Sequence, residues 1–246
     1  MKKITLLTAS ILALGTAGFT AGSQVAHADV ATPSAQSVGI SARSNAGITI
    51  ADTGKFESPI NLSAYDHELN GLGMGFQTGE VTINYDSKAL VSFGLGMTKH
   101  FNLKLPKEFD AISTMNGGLN LRNAITASYK LPGATDYTDF EPEDINTAYA
   151  GQIDFRLSPT CLVNLGSTTK IRITIDYGKI LDGLKVPAGF DYKSIIQDSK
   201  AGGYIFRGVL TDNECIQLWP DTAAEGITNG IEATLYNGNG TVPSNP

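Results

Sequence analysis

An all-β fold, an antiparallel β-sandwich of Ig-like or jelly-roll-like type, is what this chain predicts, and three observations predict it. Lys170-Ile171-Arg172-Ile173-Thr174-Ile175-Asp176-Tyr177 and Gln152-Ile153-Asp154-Phe155-Arg156-Leu157 alternate polar and apolar residues. That period of two belongs to a strand with one face on a core and the other in water. Further short runs rich in β-branched and aromatic residues are separated by turn-forming residues. Only 17% of the chain is charged, and 27 of its 246 residues are glycine, which suits many tight turns better than a helical bundle.

In chain order, Lys2 and Lys3 precede an uncharged, mostly apolar run from Ile4 to Ala21, and Ala26-His27-Ala28 stands before Asp29. This is the layout of a secretory signal peptide over residues 1–28, cleaved after Ala28. Thr5, Thr8, Ser10 and Gly15 dilute the run, so it reads as an export signal rather than a membrane-spanning anchor. No second run of spanning length follows, so the mature chain is expected to be secreted, without a transmembrane anchor, or held at the cell surface by non-covalent contacts. Residues 29–46 lack large apolar side chains apart from isolated ones and read as a flexible leader.

The sandwich domain is expected over residues 47–237. Its strands are predicted at Phe56–Tyr65, Glu80–Tyr85, Ala89–Gly94, His100–Leu105, Ala124–Leu131, Gln152–Leu157, Lys170–Tyr177, Tyr204–Thr211, Cys215–Trp219 and Ile231–Tyr236. One or two short helices belong in crossovers. Lys107–Met115 follows Pro106, and Tyr192–Ser199 follows Asp191, a good N-cap. Residues 238–246, polar and rich in breakers, read as a disordered tail.

The chain carries 18 Lys and Arg, two of the lysines within the leader, against 24 Asp and Glu. Nucleic acid is thereby excluded as a partner, because binding it rests on neutralising many phosphates. Two cysteines, Cys161 and Cys215, lie in the exported part, where a disulfide is the expected outcome. It would close a loop of about 53 residues and restrict the unfolded chain by roughly 4 kcal/mol.

Catalytic motifs are sparse. His67 and His100 are the histidines that remain after processing. No G-x-S-x-G elbow falls within the predicted domain, and Asp66-His67-Glu68 does not extend to H-E-x-x-H because Gly71 takes the place of the second histidine. No catalytic residue is assigned. Asp136, Asp139, Glu141, Glu143 and Asp144 crowd one loop; their oxygens suit calcium, the one cofactor considered, although the loop lacks the spacing of a helix-loop-helix calcium site. Trp219, Tyr137 and Tyr149 are candidate ligand-binding platforms, since an aromatic face packs against the C–H face of a sugar.

Well-specified strands and loops without a catalytic constellation point to a non-enzymatic binding or adhesion module, its partner a wall polymer, another glycan or a host protein. A polysaccharide hydrolase drawing its acids from the Asp136–Asp144 loop is the alternative. A toxin inserting a β-hairpin from the stretch between Thr78 and Lys104 is the second alternative, weakened by the charges of Glu80, Asp86, Lys88 and Lys99.

Overall fold

The β-rich runs pair into two packed antiparallel sheets in the computed structural model, which describes residues 47–52, 54–65, 79–94, 97–160, 168–199 and 202–229. All of these fall in one unit, Ser37–Pro246. The first sheet is built on β4 (Glu80–Gly94). Along one edge β4 meets β10 (Thr168–Asp176), and β6 (Ile125–Lys130) and β7 (Thr138–Asp139) lie beyond it. Its other edge is covered in relay by β3 (Asn61–Leu62), β2 (Lys55–Phe56) and β1 (Gly47–Asp52). The second sheet runs β12 (Ala224–Ile227), β11 (Ile205–Thr211), β5 (Met97–Lys104), β9 (Gln152–Thr160) and β8 (Ile145–Asn146).

The sandwich closes along one side. Ile60 bridges Thr228 in parallel fashion; its N–H donates to the Ile227 carbonyl at 2.9 Å and its carbonyl accepts from Asn229 N–H at 3.0 Å. The segment between β2 and β3 is thus stitched to the free edge of β12, and two edges that would otherwise present unpaired backbone satisfy each other.

Period-two patterning decides what fills the interior. Ile171, Ile173 and Ile175 of β10 are buried as predicted, facing Phe101 and Leu103 of β5 and Ile153, Phe155 and Leu157 of β9 across the core. Aromatic rings link the layers. Tyr85 of β4 lies 4.5 Å from Phe101, and Phe140 lies 4.6 Å from Tyr129 of β6 and 5.3 Å from Phe155. Phe109 meets Tyr204, Phe206 and Tyr177 edge-on at 5.4, 5.9 and 6.3 Å. Each such pair adds roughly 0.5–1.5 kcal/mol beyond the area it buries. Gly208 of β11 faces this layer because a Cβ there would lie 2.7 Å from the Phe56 ring.

Among the described residues three short helices sit in the crossovers: α1 (Asp110–Thr114), α2 (Leu119–Arg122) and α3 (Tyr177–Asp182). The helix expected after Pro106 is present as a 3-10 turn, Lys107–Phe109, leading into α1. At Tyr192–Ser199 only one 3-10 turn forms, Tyr192–Ser194, with the Asp191 carboxylate accepting from Lys193 N–H at 2.8 Å. Tyr192 is buried against Tyr65, the ring centroids 5.5 Å apart. Helix α3 continues directly from β10. Asp176 ends the strand and caps the helix, its Oδ1 accepting from Lys179 N–H at 2.7 Å.

Three strand expectations are corrected. Glu80–Tyr85 and Ala89–Gly94 are one continuous strand, β4, since no breaker interrupts the backbone between them. Cys215–Trp219 is not a strand: it belongs to an irregular strap over the second sheet. Phe56–Tyr65 is divided into β2 and β3, because Pro59 has no N–H to give a ladder and Ile60 bonds to β12 instead. The signal peptide, the 29–46 leader, the Asp66–Glu68 triplet, Cys161, the Ile231–Tyr236 run and the 238–246 tail lie outside the described residues. Among the described residues no helix is long and apolar enough to cross a membrane.

Candidate functional site

The outer face of the second sheet departs most from its sequence. Even-numbered residues of β9 were expected in water, yet Gln152 and Asp154 are only 5% and 2% exposed, and Asn102 across from Asp154 is fully buried. The strap from Asp212 to Trp219 covers them. Asp212 pairs with Lys99, the Asn213 carbonyl accepts from Asn102 Nδ2 at 2.7 Å, and the Glu214 carboxylate accepts from Asn146 Nδ2. Gln152 then holds the strap twice: its Nε2 donates to Cys215 Sγ, and its Oε1 accepts from Ile216 N–H, both at 3.3 Å. Trp219 ends the strap with its ring 5.8 Å from the Lys104 ammonium.

Beyond the strap the sheet is open, and a cleft of about 500 Å³ results. His100, Asp154 and Arg156 form its floor; Glu143 to Ala148 make one wall and Glu214 the other. Gly117, Leu119 and Arg122 close a third side. That third side is shaped by successive left-handed residues, Asn116, Gly117 and Gly118, at φ 51°, 63° and 85°. Gly118 is required there, because a Cβ would sit 2.1 Å from the Thr147 carbonyl oxygen. Thr147 Oγ1 in turn donates to the Gly118 carbonyl at 2.8 Å, locking the two walls together.

His100 and Asp154 are the central pair. They lie diagonally on β5 and β9, since His100 is opposite Arg156 and Asn102 is opposite Asp154. Nδ1 of His100 is 3.0 Å from each carboxylate oxygen of Asp154. Burial raises the Asp154 pKa, and the hydrogen bond from His100, with its charge whenever the ring is protonated, opposes that rise. Beside them Asp144 Oδ1 accepts from Arg156 Nη2 at 2.6 Å and Nε at 2.8 Å, which holds the guanidinium in its charged form. Asn102 Oδ1 is buried with no hydrogen-bond partner among the described residues.

The residues singled out from sequence are dispersed. Tyr149 stands near the cleft, its pKa raised first by the negative charge of Glu214. Trp219 ends the strap on the same side of the sandwich. Tyr137 lies on the opposite outer face, in a polar groove with Lys55, Asp86 and Lys170, under the Arg172 guanidinium at 3.9 Å. Of the acidic loop, Glu143 and Asp144 reach the cleft, while Asp136, Asp139 and Glu141 are exposed elsewhere. Asp144 is committed to Arg156, and among the described residues no set of three His, Cys, Asp or Glu side chains converges as a cation site. Cys215 is a half-buried thiol whose sulfur accepts from Gln152, and Cys161, its expected disulfide partner, lies outside the described residues. Sequence reasoning missed the pairing of His100 with Asp154, and the one available signal was a histidine near the start of a strand facing an acid-bearing strand of matching period.

No protein-family model matches the chain, and no curated protein matches it. Among solved structures it is similar to a protein titled "AvmM Catalyzes Macrocyclization in Alchivemycin A Biosynthesis", at 9% identity over 75% of this chain and 92% of that one, with a TM-score of 0.36. At that score the likeness adds nothing to the fold read from the chain's own strands.

Proposed function

We propose that the protein is an extracellular, non-enzymatic binding module that seats a polar ligand in the cleft over His100, Asp154 and Arg156. Export rests on the leader, Lys2 and Lys3 followed by the apolar run and Ala26-His27-Ala28. The observation that carries the binding reading is the cleft itself. Polar groups from β5, β9, the 143–148 wall and the strap converge on about 500 Å³ of open space, backed by a five-stranded sheet. Loops and strap held on a rigid sheet are where recognition sits, and wall polymer, glycan and host protein are the ligand classes in question.

The hydrolase alternative draws paired acids from the Asp136–Asp144 loop, of which Glu143 and Asp144 line the cleft, Asp144 already paired with Arg156. The toxin alternative required a hairpin, whereas β4 and β5 belong to different sheets. Incubating purified protein with a panel of wall and plant glycans tests the reading. Saturable binding without product release is expected, and release of shortened or deacylated product contradicts it. Mass spectrometry of culture supernatant is expected to find a mature N-terminus at Asp29.

A further inference from the structure

The cleft's chemistry narrows its ligand, an inference that rests on the binding reading above. An ionised Asp154 can only accept hydrogen bonds, so the proton between it and His100 belongs to Nδ1. A neutral ring protonated on Nδ1 keeps a lone pair on Nε2. The ring is 13% exposed and borders the cleft, whereas its carboxylate partner is 2% exposed beneath it. Burial of the carboxylate under the strap fixes the ring, and the cleft therefore meets a preset acceptor.

Charge sets the second condition. Asp144 is taken by Arg156 and Asp154 by His100, which leaves Glu143 and Glu214 against Arg122 around the opening. An anionic ligand entering the cleft would meet an excess of negative charge with no cationic clamp prepared for it. Hydroxyl groups, by contrast, find acceptors in Nε2 and the carboxylates and a donor in Arg122.

We propose that the cleft selects a glycan without negative charge, held by one sugar hydroxyl donating to Nε2 of His100. Its specificity is set by this fixed acceptor together with the acidic rim.

Calorimetric titration with three oligosaccharides tests this: a neutral N-acetylglucosamine hexamer, a cationic glucosamine hexamer and an anionic galacturonate hexamer. Binding of the neutral or the cationic hexamer and not of the anionic one is expected, and His100→Phe should weaken it by about tenfold, the loss of one buried hydrogen bond. Asp154→Asn, which lets the amide donate to Nδ1 and moves the ring proton to Nε2, should weaken it similarly. Nitrogen-15 NMR of the wild-type imidazole needs no variant and should show the proton on Nδ1. Binding of the anionic hexamer alone, unchanged affinity in a folded His100→Phe protein, or a proton on Nε2 overturns the inference while leaving the binding module standing. Failure of all three sugars to bind overturns the inference, and if wall polymer and host proteins also fail, the binding reading falls with it.

Discussion

Asp154 shows how one buried carboxylate ties stability to pH. Its pKa is raised in the folded protein because burial disfavours the charge, so between the ordinary value of 3.8 and the raised one the folded state binds more protons than the unfolded state. Stability from this group is present at acid pH and is lost as pH rises through that window. Asp154→Asn has no such component. Thermal unfolding from acid to neutral pH should therefore show the wild-type midpoint losing ground to the variant's as pH rises; a gap that moves the other way contradicts the desolvation. Gly118 gives a second prediction. With φ at 85° and a carbonyl 2.1 Å from any added Cβ, Gly118→Ala should cost about 2 kcal/mol or more in denaturant unfolding and disturb Thr147 across the cleft. Neither residue stands out in the sequence: Asp154 looks like any outward strand residue, and Gly118 is one glycine of 27. What singles them out is a neighbour distant along the chain, and a single strand's period carries no information about that.

The strap makes the cleft, and side chains of β5, β8 and β9 hold it. Gln152 supplies both a donor and an acceptor to residues 215 and 216, so Gln152→Ala should release that stretch without unfolding the sheets. Hydrogen exchange by mass spectrometry is expected to rise over 212–219 while β10 stays protected, and the Cys215 thiol should react faster with a maleimide. Equal exchange in variant and wild type would show that the strap is held by something else. Strand patterning was legible for β10, where alternation matched burial throughout, because both its sides are paired and one face is open. It misled for β9, where the strap turns an outward face inward, and for Cys215–Trp219, whose apolar residues suggested a strand while its backbone follows side-chain anchors. The helical turns after Pro106 and Asp191 were legible from those two residues; α3 was not, because it follows directly on the alternating strand β10 with no breaker between them.

Two sheets closed on one side give the molecule its fold, and the closure has a measurable weight. Ile60 is 1% exposed and its backbone joins β12 to the first sheet, so Ile60→Ala should destabilise the protein by about 3 kcal/mol in a single cooperative transition. Loss of the second sheet alone, seen as two separate transitions, would mean that the sheets are not one folding unit. The class of fold was legible because composition, turn residues and period-two runs all pointed the same way. The site was not, because it is assembled from five separate stretches of chain that sequence order keeps apart, and its two central residues carried no motif. The most direct check on the central claim, that the strapped face of the second sheet is the binding surface, is amide chemical-shift mapping during titration with the N-acetylglucosamine hexamer or whichever glycan binds. Perturbations are expected at His100, Gly117, Thr147, Arg156 and Glu214, with the opposite face unmoved. Perturbations confined to the groove around Tyr137 and Arg172 would place recognition on the other sheet and contradict the account.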